Sequence, residues 1–145
     1  MTKKSVFGER LQTALQSQGF SRAQFATEMD MNLSLLYKYL RGDCAPSLPT
    51  VNAIADKLNC SLQWLCGFSD ERGGARTANV PFDERFRELL SRMNVTRYRL
   101  IKDTGLSKQS VDGWFHGTRN PSFLHMQILS KYFSCTMDYL AGREN

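Results

Sequence analysis

The sequence contains no CxxC pair, no glycine-rich phosphate loop and no long apolar run, and each absence removes a class of function. Its cysteines, Cys44, Cys60, Cys66 and Cys135, are scattered, and His116 and His125 stand nine residues apart. Neither zinc-finger nor zincin spacing results, so no metal is expected. No segment approaches the roughly eighteen apolar residues of a membrane helix. The opening MTKKSVFGER has two lysines but no apolar stretch behind them. A secretory signal is therefore not expected, and a reducing cytoplasm with free thiols is the default compartment. Nucleophile and base do not occur at any catalytic spacing, and paired metal ligands are missing. Neither an enzyme nor a cofactor or small-molecule substrate is expected.

What is present is a modest positive charge, +5 with a pI near 9.2, which permits a polyanionic partner without demanding one. Its distribution is uneven. Residues 1–70 carry seven basic and six acidic groups, whereas residues 82–145 carry ten and seven.

The dominant signal is an internal repeat. Shifted by 75 positions, Phe7 to Asp70 aligns with Phe82 to Asn145 without a gap, and eleven of the sixty-four pairs are identical. Roughly four would arise from mixed composition alone. The identities include Arg10/Arg85, Arg22/Arg97, Gly42/Gly117, Pro46/Pro121, Cys60/Cys135 and Gly67/Gly142. Between the copies lies DERGGARTANVP, whose Gly pair, missing periodicity and closing Pro read as a linker. The expected organisation is a first domain over 1–70, a linker over 71–81 and a second domain over 82–145.

Each copy reads as five short helices, so the expected fold is all-α. The first runs from Phe7 to about Ser17 with Phe7, Leu11, Ala14 and Leu15 on one face, matched by Phe82, Phe86, Leu89 and Leu90. Ser21 caps the second and forms a capping box with Gln24; Thr96 is its counterpart. The second helix buries Phe25, Ala26 and Met29, or Leu100 and Ile101. The third is capped by Asn32 or Ser107 and stops at Gly42 or Gly117, with Pro46 and Pro121 barring continuation. A fourth helix follows from Ser47 or Ser122, burying Val51, Ile54, Ala55 and Leu58, or Met126, Ile128, Leu129 and Phe133. A brief fifth ends at Gly67 or Gly142. Cys60 and Cys135 precede it in equivalent places and read as small core hydrophobes.

The strings SRAQFATEMDMNLSLLYKYLRG and APSLPTVNAIADKLNCSLQWLCG, repeated as TRYRLIKDTGLSKQSVDGWFHG and NPSFLHMQILSKYFSCTMDYLAG, resemble the lambda-repressor/Cro-like (XRE) helix-turn-helix family. The likeness covers some 128 residues across both copies. It departs in two places. Leu40 and Phe115 stand where the family often has an acidic residue, and copy one has Asp30 in the turn where copy two has Gly105. Asp tolerates the left-handed backbone at a modest cost.

The resemblance implies a regulator of bacterial or phage type that binds double-stranded DNA, with the third helix of each copy in the major groove and the start of the second facing a phosphate. Arg22 and Arg97 then become phosphate contacts, with Arg41 and Arg119, and also Lys3 and Lys4, as secondary candidates. Base reading falls to Lys108, Gln109, Asp112 and Gly113 in copy two. Lysine donates to guanine and glutamine matches adenine bidentately, while Gly113 either lets the helix approach DNA closely or is a weak point costing about 1 kcal/mol. Copy one offers Leu33, Ser34, Tyr37 and Lys38. Leu33 and Tyr37 together also make an apolar patch. That patch motivates the alternative, a protein-interaction module such as an antitoxin-like partner or an antirepressor on the same fold. Because the two third helices differ, one chain is expected to grip two unlike half-sites, and a palindromic site follows only if whole chains form a homodimer.

Overall fold

The computed structural model describes residues 6–74 and 76–145, so Lys3 and Lys4 lie outside the described residues. The chain divides into two units, one built mainly from residues before 76 and one mainly from those after 75. Unit 1 comprises α1 (Val6–Ser17), α2 (Arg22–Glu28), α3 (Leu33–Arg41), α4 (Leu48–Leu58) from Thr50 onward, and α5 (Leu62–Leu65). Unit 2 comprises α6 (Phe82–Arg92), α7 (Arg97–Thr104), α8 (Lys108–His116), α9 (Phe123–Phe133) and α10 (Met137–Leu140). Among the described residues every regular element is a helix.

Helix starts follow from side chains that satisfy the orphan amides of the first turn. Ser21 Oγ accepts from the Gln24 amide at 3.1 Å, Asn32 Oδ1 from Ser34 at 2.8 Å, Thr96 Oγ1 from Arg99 at 3.0 Å and Ser107 Oγ from Ser110 at 3.1 Å. The return bond expected from the Gln24 side chain is absent among the described residues, so only half of the capping box forms. Stops follow the backbone. Among the described residues every left-handed residue but Gly73 has a partner 75 positions away: Gly19 with Asn94, Asp30 with Gly105, Gly42 with Gly117, Asn59 with Ser134 and Gly67 with Gly142. The repeat is thus a repeat of dihedral angles as well as of residues.

Asp30 occupies the left-handed well at φ 51°, and its side chain bonds to nothing among the described residues. Asp30→Gly should therefore stabilise unit 1 by about 0.5–1 kcal/mol, since it relieves Cβ strain and breaks no contact. Urea unfolding followed by Trp64 fluorescence in a Trp114→Phe background measures this, and an unchanged or lower midpoint would contradict it.

In unit 1, Leu11, Leu15, Phe25, Leu36, Ile54, Leu58, Leu62 and Leu65 are excluded from solvent. Unit 2 is more aromatic: Phe86 lies edge-on to Trp114 at 6.1 Å and to Phe133 at 6.2 Å. Of the expected core residues, Met29, Ile101 and Ile128 are only half-buried. Cys60 is buried and Cys135 partly so, where burial pushes its thiol pKa up.

A cationic side chain completes each unit. Arg10 stacks on Trp64 at 5.0 Å and donates to the Ser69 carbonyl at 3.3 Å. Arg85, only 3% exposed, stacks on Tyr139 at 3.8 Å and donates to the Glu144 carbonyl at 3.1 Å. The same arginine, at the same place in the repeat, hooks the first helix of the unit to the segment behind its last helix.

Both ends of the expected linker are held by their own units. In unit 1 the Arg72 carbonyl accepts from the Ser61 amide at 2.9 Å, and its guanidinium donates to Ser17 Oγ at 2.6 Å. In unit 2 the Thr77 and Ala78 amides donate to the Arg143 carbonyl, at 2.9 and 3.0 Å, and the Val80 amide to Gly142 at 2.9 Å. These amides form a strap along the end of unit 2, laid over Gly142.

Candidate nucleic-acid interface

In unit 2, α7 and α8 flank a surface groove lined by Thr96, Arg97, Tyr98, Ile101, Lys108 and Asp112. Lys108 and Gln109 occupy the exposed first turn of α8, where the three donors of the ammonium, without a partner among the described residues, and the amide of glutamine face solvent. The positive end of the helix adds to the lysine charge there. Helix α7 is braced from behind: Tyr132 donates to Asp103 Oδ2 at 2.7 Å and Arg99 Nε to the same oxygen at 3.0 Å. These bonds, Tyr132's first, hold the Asp103 carboxyl below its ordinary range.

Arg97 is drawn toward α8. Its Nη1 donates to Asp112 Oδ1 at 3.0 Å, its guanidinium lies over the Phe115 ring at 4.1 Å, and His116 Nε2 stands 3.4 Å away. The structure thus joins two residues that the sequence assigned to separate tasks, Arg97 to phosphate and Asp112 to bases. Arg97 remains partly exposed at the groove wall.

Gly113 does not lie on the exposed face of α8. It is buried, and a Cβ built there would meet Arg119 Cδ and Cγ at 2.7 Å and Cβ at 2.8 Å. The Thr118 and Arg119 amides both donate to its carbonyl, at 2.9 and 3.2 Å. Packing gives this glycine a reason that neither close approach to DNA nor helix weakness supplies. It is small because the chain leaving α8 folds back across it, and Arg119 covers it with its aliphatic stem while remaining exposed overall.

Unit 1 presents a different surface at the equivalent positions. Leu33, Ser34, Tyr37 and Lys38 are all exposed on α3, Leu33 and Tyr37 to 37% each. Arg22 donates from Nε to Gln12 Oε1 at 3.2 Å and lies 5.4 Å from the centre of the Tyr37 ring, so part of the apolar patch is covered by a cation. Arg41 pairs with Asp43 at 3.0 Å, both exposed. Such a pair is worth little to stability and leaves the guanidinium exchangeable.

Tyr98, 75% exposed and beside Arg97, was not singled out by sequence. The available signal was an aromatic residue where copy one has Ala23, on a helix whose buried face was already filled by Leu100.

Residues 11–65 match the model of a family described as helix-turn-helix, and residues 85–144 match that of the Cro/C1-type helix-turn-helix DNA-binding domain. No curated protein and no solved structure matches the chain.

Proposed function

Starting from the premise that this chain carries two tandem helix-turn-helix domains of the Cro/C1 type, we propose that it is a transcriptional regulator that reads duplex DNA through α3 and α8. The observation that carries this reading is the groove of unit 2, lined by Thr96 at the cap of α7, Arg97 in its first turn and Lys108 in the first turn of α8, with Gln109 exposed on the same turn as Lys108. A phosphate suits the arginine and the helix ends, which fix orientation without sequence information. A base pair suits Lys108 and Gln109. Arg22 in unit 1 has the same place in the repeat as Arg97.

The test is binding to random duplex across a salt series. The logarithm of the affinity should fall linearly with log salt, with a slope close to the number of phosphates contacted. Binding that ignores salt would instead favour the interaction-module reading, which rests on exposed Leu33 and Tyr37. Selection from a random pool then gives the preferred sequence. On that sequence Gln109→Ala should cost about 1–3 kcal/mol at one base pair of the unit 2 half-site and nothing on sequences already altered there. Equal loss on all sequences would show that Gln109 reads no base.

A further inference from the structure

Resting on the reading that unit 2 binds duplex DNA, we infer that Asp112 is a positioning residue, which holds Arg97 in the pose that meets a phosphate, and that it reads no base itself. The geometry divides the guanidinium in two. Asp112 Oδ1 accepts from Nη1 at 3.0 Å, His116 Nε2 stands against the same nitrogen at 3.4 Å, and the guanidinium carbon lies over the Phe115 ring, 4.1 Å from its centre. No other partner engages this side chain among the described residues, so Nε and Nη2 keep their hydrogens. Those two donors lie along one edge of the fork, the arrangement that grips two oxygens of one phosphate. An arginine held in this way has given up part of its rotamer freedom before DNA arrives, and binding has less to order.

Unit 1 supplies an independent instance. Counting 75 back from Arg97 and Asp112 gives Arg22 and Tyr37, and these two are also in contact, ring face to guanidinium at 5.4 Å. The chemistry of the partner has changed and its place has not. A base-reading residue would have no reason to touch the phosphate-facing arginine in both copies.

An aspartate on a surface facing DNA also repels phosphate, and this sets up a test by sign. With Arg97 present, loss of positioning should outweigh relief of repulsion; with Arg97 absent, only the repulsion is left. The full chain, Asp112→Ala, Asp112→Asn, Arg97→Ala and the double variant Arg97→Ala/Asp112→Ala are titrated by fluorescence anisotropy with the selected duplex and with random duplex at fixed salt. Circular dichroism checks folding, and the near-isosteric Asn variant keeps the test usable if Ala perturbs α8. Asp112→Ala should weaken binding to both duplexes by about 3- to 10-fold with no change in preferred bases, the scale of re-ordering one long side chain. Asp112→Asn, which keeps an acceptor, should weaken it less. In the Arg97→Ala background the same Asp112→Ala change should leave affinity unchanged or raise it by up to about 3-fold. Tighter binding by Asp112→Ala with Arg97 intact would overturn the proposal and make Asp112 a simple electrostatic penalty. A changed preference at one base pair would overturn it in favour of base reading. If the unaltered chain shows no salt-dependent binding, the DNA reading itself fails and the proposal with it.

Discussion

Residues 1–75 and 76–145, supplied as separate chains, should bind the sequence selected by the intact protein about 10² to 10⁴ times more weakly than the intact protein does. The loss is that of an effective concentration. Once one domain is seated, a short tether holds the other at a local concentration in the millimolar range, and cleavage of the chain returns it to bulk. The tether is shorter than its composition suggests. Twelve residues, Asp70 to Pro81, read as linker, yet Arg72 is bonded to unit 1 and Thr77 to unit 2. Five residue steps then separate the two anchors, a reach of about 17 Å where twelve would have given roughly 40 Å. A short reach raises the local concentration and narrows the half-site spacings that both domains can use. The comparison is made by anisotropy at fixed salt, with circular dichroism on each half to establish that it folds. Either half binding as tightly as the intact chain would refute joint engagement and leave the other half as an interaction domain.

Gly142→Ala should destabilise unit 2 by about 3–5 kcal/mol. Gly142 sits at φ 80°, where an L residue costs about 1–2 kcal/mol. More seriously, a Cβ there would overlap the backbone carbonyl of Val80, which has no rotamer to move aside. Relief requires the strap to lift, and the Thr77, Ala78 and Val80 amides would lose their acceptors. Each such bond is worth about 0.5–1.5 kcal/mol. Gly67 is the internal control. It has nearly the same backbone, φ 83°, but its Cβ would meet Val6 Cγ1 at 2.5 Å, the end of an exposed side chain. Gly67→Ala should cost only the backbone term, about 1–2 kcal/mol in unit 1. Urea unfolding monitored at Trp114 in a Trp64→Phe background reports unit 2, and the converse background reports unit 1. Equal losses for the two substitutions would show that the strap contributes nothing.

The elements of this fold that were legible in the sequence are those set by interactions a few residues apart. A hydroxyl three residues ahead of an amide caps a helix at Ser21, Thr96 and Ser107, and a glycine ends one at Gly42 and Gly117, because the partners lie within one turn. The candidate site was legible only as a list of positions, polar and apolar, on the second and third helix of each copy and just beyond the third at Arg119. Its internal organisation depends on how α7 crosses α8, which brings residues 97 and 112 together across a turn, and no periodicity within either helix encodes that crossing. Gly113 was misread for a related reason. Its neighbour, Arg119, lies beyond the end of the helix on an irregular path, so no spacing within the helix shows that the returning chain buries the glycine. The identity Arg10/Arg85 was visible, but its hook onto residues 69 and 144 needs the two ends of each unit in contact. The strap was hidden by composition, since polar, glycine-containing sequence reads as linker whether or not its amides find acceptors.

The nine positions of α3, Leu33–Arg41, share no residue with the nine of α8, Lys108–His116, although the frame around them repeats. A pair of identical subunits on a two-fold site looks the same after the DNA is turned end for end. A single chain with two unlike reading helices does not, so on the proposed function its complex has a polarity. One end of the bound segment carries the Leu33-Ser34 surface and the other the Lys108-Gln109 surface. Whatever approaches along the duplex then meets a different protein face upstream from the one it meets downstream.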